Sequence, residues 1–231
     1  MADDAKDPDD VPDGRAARAE RRRAERREAI LAAAKTVFRD KGYHQASVHD
    51  IIDEARIARG TFYLYFTSKQ ELFGELVDDF LARVRGEVRR ISLEAGDDPP
   101  RKQLQANFRR VVATVLEHAD VASIILRDPT SFDEESRARV NQFFAQVLEL
   151  TESAIGVGQT IGIVGPCDVQ IVSAVALGGL RAALIRMLNA NSGSPEARAR
   201  DRAFTEPEKM ADELLDFFLR GVSKREAGAS G

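Results

Sequence analysis

Ser47-Val48-His49-Asp50-Ile51-Ile52-Asp53-Glu54-Ala55, then Arg56-Ile57-Ala58, then Arg59-Gly60-Thr61-Phe62-Tyr63-Leu64-Tyr65-Phe66-Thr67-Ser68-Lys69-Gln70-Glu71-Leu72 is the stretch that decides how this chain is read. Ser47 and Asp50 have the spacing of a capping box, in which hydroxyl and carboxylate satisfy the open amides of a helix start. Val48, Ile51, Ile52 and Ala55 then fall on one helical face, predicting a short helix over 47–55. A turn at Arg56 and Ile57 leads into a second short helix, Ala58 to Tyr63. Ser68 with Glu71 repeats the capping signature and opens a longer helix, whose apolar positions Leu72, Phe73, Leu76, Val77, Phe80, Leu81 and Val84 keep helical spacing to about Ile91. Two short helices joined by a tight turn have helix-turn-helix dimensions, and in that motif the second helix enters the DNA major groove.

The run from Gly60-Thr61 through Tyr63, Tyr65-Phe66 and Ser68-Lys69 to Leu72 closely resembles the signature of the TetR family of transcriptional regulators, and Ser47 to Ala55 resembles its first motif helix. The resemblance covers about 24–84; beyond that the chain is similar only in length and helical pattern. It implies an all-α fold: an N-terminal three-helix helix-turn-helix DNA-binding domain, linked by helix 4 to a larger helical ligand-binding and dimerisation domain. It also implies a homodimer, most often a repressor, that binds a near-palindromic operator and is released by a small-molecule effector.

The matched positions carry suitable chemistry. Gly60 lets the backbone approach DNA where a Cβ would intrude. Thr61, Tyr63 and Tyr65 offer hydroxyls at phosphate-contacting spacing, and Lys69 offers a cation in the first turn of its helix. Core packing is the other role open to the two tyrosines, and it is the role assigned to Phe62 and Phe66. Arg59 is the candidate for bidentate guanine readout. Ser47, Val48 and Ala58 join the DNA-facing set by position in the motif. The chain departs from the family at Arg56, where Gly is usual, and at Ala58, where Ser or Thr is usual. A non-Gly residue is strained in a left-handed turn, although Arg56 adds a cation for phosphate or base.

Upstream, the formal net charge of −4 conceals two opposed blocks. Met1 to Gly14 holds six Asp and one Lys, whereas Arg15 to Tyr43 holds ten Lys/Arg against four Asp/Glu. Such asymmetry points to an anionic partner or to a solvated helix laced with ion pairs. By the resemblance, Arg21 to Arg23 with Arg26 and Arg27 reach phosphates or a minor groove, with Arg23 and Arg26 as the chosen contacts. An acidic tail over 1–17 is expected to lack a core and to compete with DNA for these arginines. A first helix is predicted from Arg18 to Asp40, stopped by Gly42, within a DNA-binding domain over 18–67.

Downstream, 68–224 is read as the effector and dimer domain, followed by a flexible tail over 225–231. Gly96 to Pro100 breaks the chain, and helical patterns follow near 101–118, 120–127, 134–157, 168–189 and 207–222. Val169 to Leu188 is apolar nearly all round, so it must be covered on more than one side. TetR relatives pair their last two long helices between subunits; Val172, Val175, Gly178, Gly179 and Ala182, with Leu214, Phe217 and Phe218, are the interface candidates. An effector pocket is expected among the middle helices. Phe108, Val112, Leu116, Phe143, Phe144 and Val147 are its apolar candidates, and Asn107, His118, Gln146 and Arg181 its polar ones.

No catalytic constellation or cofactor is expected. His44, His49 and His118 lack metal-ligand spacing, and Gly156, Gly158 and Gly162 follow a helix where a dinucleotide loop needs a strand. The alternatives weighed are a non-DNA-binding helical adaptor and a small-molecule-processing enzyme. Cys167 alone excludes an intramolecular disulfide framework and is read as a loop or helix-start thiol, with a redox switch as the other option. The acidic N-terminus has no signal-peptide core, and the apolar stretch Ile171 to Leu180 is half a membrane span, so a cytoplasmic protein without a membrane segment is expected.

Overall fold

The computed structural model describes residues 12–127, 132–162, 164–191 and 193–222. The acidic stretch before Pro12 and the tail over 225–231 lie outside the described residues. The chain divides into two compact units, 1–73 and 74–231, so the boundary falls after the expected 67. Every described element is helical apart from an isolated bridge at Val164.

The first unit contains α1 (Pro12–Lys41), α2 (Val48–Ala55), α3 (Arg59–Tyr63) and the start of α4 (Lys69–Glu87), which continues into the second unit. Its core follows the predicted faces: Ile30, Ala34 and Phe38 from α1, Ile51 from α2, and Phe62, Phe66, Leu72 and Phe73 are buried. Phe73 meets Phe38 edge-on at 5.8 Å and Tyr43 at 4.4 Å between ring centroids. Gly42 ends α1 with φ +78°, donating its N–H to the Phe38 carbonyl at 2.9 Å; that left-handed position favours a residue without Cβ. At its other end α1 begins at Pro12 rather than near Arg18. Alanine and arginine dominate this stretch, and both are strong helix formers, so it is helical without a core to pack on.

The second unit contains the remainder of α4, α5 (Pro100–Glu117), α6 (Ala119–Arg127), α7 (Glu134–Thr160), α8 (Val169–Ala190), α9 (Pro195–Arg200) and α10 (Pro207–Val222). α4 stops at Glu87, although its apolar spacing runs on to Ile91. Two amides on α5 explain the early end. Asn107 Oδ1 accepts from the Arg89 N–H and its Nδ2 donates to the Arg89 carbonyl, while Gln103 brackets the Ser92 backbone in the same way. These bonds hold the chain in a non-helical path, because a peptide group already paired does not need the helical bond.

α9 is a second difference: no helical pattern was expected between 189 and 207, and a short helix occupies Pro195–Arg200. Its signal was present, since Ser194 caps the helix and Pro195 occupies the first turn. Behind it, Asp201 is buried and bound by Arg186, whose Nε and Nη2 lie at 2.7 and 2.6 Å and whose guanidinium stacks 4.9 Å from the Phe204 ring centroid. Arg101 and Arg109 of α5 pair with Asp216 and Asp212 of α10.

α8 is long and apolar enough to cross a membrane by length and composition. The expectation to the contrary ended the apolar stretch at Arg181, but the helix continues through that residue. Its C-terminal half packs within the unit: Ala183, Leu184, Met187, Leu188 and Ala190 are buried, and Arg181 Nη2 donates to the Leu126 carbonyl at 2.8 Å.

Candidate functional site

The helix-turn-helix is built by its caps. Ser47 Oγ accepts from the Asp50 N–H, and Asp50 Oδ2 accepts from the Ser47 N–H at 2.9 Å and its hydroxyl at 2.8 Å. Lys41 Nζ donates to Asp50 Oδ1 at 2.7 Å. The Lys41 contact, foremost, and the two Ser47 bonds hold the Asp50 carboxyl far below its ordinary value. The Ser47 hydroxyl is thereby committed to fixing the start of α2, and Val48 is half-buried beside it.

Arg56 closes α2 in the left-handed region, φ 52° and ψ 48°, and is the one non-glycine with positive φ among the described residues. Its N–H donates to the Asp53 carbonyl at 3.1 Å. A conformation of this kind costs an L-residue roughly 1–2 kcal/mol. Ala58 follows as the N-cap of α3 and supplies no side-chain cap.

On α3, Arg59, Gly60 and Tyr63 are exposed, and the Arg59 guanidinium lies 5.9 Å from the Tyr63 ring centroid. A Cβ added at Gly60 would meet no atom within 4 Å. Nothing among the described residues therefore requires this glycine, which weakens a short helix by about 1 kcal/mol relative to Ala. Thr61 and Tyr65 are half-buried, while Phe62 and Phe66 fill the core as expected. The resulting ridge presents Arg56, Arg59 and Tyr63 around an unobstructed stretch of backbone, a shape and charge suited to an anionic surface.

Lys69 does not join that ridge. Its ammonium donates to the Tyr43 and Ala46 carbonyls, each at 2.8 Å, and lies 4.5 Å from the Tyr43 ring centroid. The ammonium expected on phosphate thus also acts as an internal staple, with two of its three N–H groups spent on carbonyls just beyond Gly42. Arg23 and Arg26 are exposed on α1, and Arg27 stacks 5.1 Å from the Phe66 ring centroid, a contact that no local pattern announced.

Residues 30–76 match the family model described as bacterial regulatory proteins, tetR family. Over these residues the chain carries the N-terminal domain of the tetR family. Among curated relatives, it is 42% identical over 72 residues to the uncharacterised HTH-type transcriptional regulator YdgC of Bacillus subtilis, covering 31% of this chain and 37% of that one. It is 32% identical over 108 residues to the repressor KstR2 of Mycolicibacterium smegmatis, covering 46% and 50%. The chain thus spans half or less of these relatives' length. Two solved structures share the fold. The ketosteroid regulator KstR2 of Mycobacterium tuberculosis has TM-score 0.64 at 22% identity, covering 86% of this chain and 95% of that one. FadR of Bacillus subtilis in complex with stearoyl-CoA has TM-score 0.62 at 19% identity, covering 84% and 98%.

In the second unit, the candidate effector residues separate. Asn107 is corrected from ligand handle to backbone clamp: it is buried, with its amide spent on Arg89 and its Oδ1 also receiving Arg110. His118 caps α5, its ring 6.4 Å from that of Phe80. Val112 and Phe143 are buried, while Phe108, Leu116 and Phe144 are half-buried. Gln146 and Val147 line a shallow depression of about 340 Å³ with Arg85, Glu149 and Leu150, three residues the sequence reading did not select. Arg181 lies over Phe144, 5.6 Å from its ring centroid, while bonded to Leu126. The reading also passed over Ser173, fully buried on α8 with no partner for its hydroxyl among the described residues.

The interface candidates are open in the single chain. Val175 is 61% and Phe217 70% exposed, and Gly178, Gly179 and Ala182 are exposed, with Val172, Leu214 and Phe218 half-buried. A Cβ on Gly179 would lie 3.3 Å from Phe218 Cζ, whereas one on Gly178 would meet nothing within 4 Å. α10 thus packs onto one glycine of the pair and leaves the other uncovered.

Proposed function

We propose that this chain is a TetR-family transcriptional repressor, binding a near-palindromic operator as a homodimer and released by a small hydrophobic or amphipathic effector. The ridge around Gly60 carries the reading. The left-handed Arg56 and the helical Gly60 incur local costs that no contact among the described residues returns, and a DNA backbone supplies the missing partner. Arg59 reads a base edge, guanine by preference, while Arg56, Thr61, Tyr63 and Tyr65 position the helix on phosphates. A cytoplasmic location and a non-enzymatic role follow from that task.

The uncovered apolar face of α8 and α10 supports pairing with a second copy, because an exposed strip of this size is unfavourable in water. Structural relatives that include a ketosteroid regulator and a FadR in complex with stearoyl-CoA support an apolar effector class. Ser173 and Arg181, both on α8, are the polar groups best placed to orient it. An effector that favours the non-binding conformation by about 1–3 kcal/mol shifts operator affinity roughly 5–150-fold.

The test is selection of bound duplexes from a random pool, with wild type and Arg59→Ala compared. The wild type is expected to enrich a two-fold symmetric site and the variant to lose preference at one position per half-site. Failure of the wild type to enrich any sequence refutes operator recognition.

A further inference from the structure

Leu64 is the most exposed large hydrophobic side chain among the described residues, at 75%. In the described part of the first unit only Tyr63, its neighbour in sequence, is exposed in the same way, at 45%. Every other large apolar side chain there is buried or half-buried. Single exposed leucines are ordinary on a protein surface. Here, however, the two exposed residues are adjacent, and they stand on the ridge around Gly60 rather than at scattered places.

Leu64 closes α3 with φ −76° and ψ −19°, so it continues the helical course. Residues four apart on a helix lie one above the other, and side chains lean toward the helix start. Two such pairs make up the exposed face of α3. Arg59 and Tyr63 are one, with the guanidinium 5.9 Å from the ring centroid. Gly60 and Leu64 are the other. A Cβ at Gly60 would meet nothing within 4 Å, so the turn beneath Leu64 is open. The result is an apolar notch with the Gly60 backbone as its floor and the Leu64 side chain as its wall. It lies one residue round the helix from the cationic fork of Arg59.

The edges of the bases in the major groove are polar with one exception, the C5-methyl group of thymine. Guanine presents the paired acceptors that suit Arg59. A phosphate or a polar base edge set against Leu64 would lose water without gaining a hydrogen bond, whereas a methyl group gains from the same contact. We propose that Leu64, above the open backbone of Gly60, reads the methyl group of a thymine adjoining the guanine read by Arg59. This rests on the DNA-binding reading and deepens it, by assigning a second base type that α3 selects.

The experiment uses the full chain and the symmetric duplex that it selects from a random pool. Each thymine is replaced in turn, in both half-sites, by deoxyuridine, which removes the C5-methyl group and keeps the pairing edge. Anisotropy titrations compare wild type, Leu64→Ala and Leu64→Gln. At one thymine position the wild type is expected to lose about fourfold in affinity per half-site, roughly what returning one methyl group to water costs. That position should adjoin the one at which Arg59→Ala relaxes base preference. Both Leu64 variants should bind the thymine duplex at least as weakly as wild type binds the uracil duplex, and should not distinguish the two bases there. Changes in stacking common to all three proteins cancel in this comparison. The preference is also a ratio taken within each protein, so a modest change in folding stability does not alter it.

The Leu64 assignment is overturned, and operator recognition left standing, by any of three results. Either variant keeps the wild-type preference, the wild type binds thymine and uracil equally at every position, or the selected site holds no thymine. Equal binding of the two bases is also the result expected if Leu64 serves a protein contact instead. Enrichment of no sequence by the wild type overturns both readings.

Discussion

Lys69 lies 4.5 Å from the centre of the Tyr43 ring and donates a hydrogen bond to the Tyr43 carbonyl at 2.8 Å. With the matching bond to Ala46, this joins the start of α4 to the segment between α1 and α2. Hydrogen bonds to a charged group are worth about 1.5–3 kcal/mol. Lys69→Met is therefore expected to destabilise the N-terminal unit by about 2–3 kcal/mol in denaturant unfolding. The salt slope of DNA binding should stay within error of wild type; a flatter slope with unchanged stability would return Lys69 to the phosphate contacts.

Arg56 combines backbone strain with an exposed guanidinium, so its two roles separate by mutation. Arg56→Gly is expected to raise stability by about 1 kcal/mol, as the left-handed turn no longer opposes a Cβ. The same change should weaken DNA binding and flatten its salt slope by about 0.9 per protomer. Arg56→Ala should weaken binding equally without the gain in stability. Unfolding midpoints and anisotropy titrations on the three proteins read both effects.

Val175 and Phe217 are expected to hold the homodimer together. Each is largely exposed in the single chain, so Val175→Asp and Phe217→Asp should leave the subunit helical. Sedimentation at micromolar concentration is expected to show a dimer for wild type and a monomer for the double variant. A wild-type monomer would refute the assignment of this face.

Asp50 sets a pH dependence whose sign is fixed by its depressed folded pKa. The ordinary value is 3.8, and the Lys41 and Ser47 bonds bring the folded value far below it. The carboxylate's contribution is complete above about pH 5 and is lost as pH falls past 4 toward the folded value. Asp50→Asn should be less stable than wild type at pH 7, with the gap narrowing below pH 4. A gap that stays constant across that range would show that the ionised form is not what matters.

Ser173 buries a hydroxyl that has no partner among the described residues. Leaving such a group unsatisfied costs about 1–3 kcal/mol. In effector-free protein, Ser173→Ala should therefore melt at the same temperature or higher. A clear loss of stability would reveal a structural bond to this hydroxyl and remove it from the effector contacts.

How much of this was legible in sequence depended on distance along the chain. The Ser47–Asp50 box, the Gly42 stop and the burial of Phe62 and Phe66 follow from residues three or four apart. At that range the helix repeat alone decides which groups meet. The exposed positions of Arg59, Gly60 and Tyr63 were legible for the same reason, since α3 has one buried face and the motif orders the other. The extent of α1 was underestimated, because a helix made stable by composition leaves no apolar rhythm to count.

What only the tertiary structure decided are the partners of long polar side chains. Lys69 reaches carbonyls 23 and 26 residues away, and Arg181 reaches the Leu126 carbonyl 55 residues away. Asn107 and Gln103 reach back to Arg89 and Ser92 and end α4 before its apolar spacing runs out. A charge or amide on a flexible stem has no periodicity to betray its target. It takes whichever backbone group the fold leaves unpaired, and that group is defined only once the helices have packed. Sequence alone therefore determined where the long helices lie, the capping box of α2 and the exposed edge of α3. Packing determined which of the chemically suitable residues remained available to a partner.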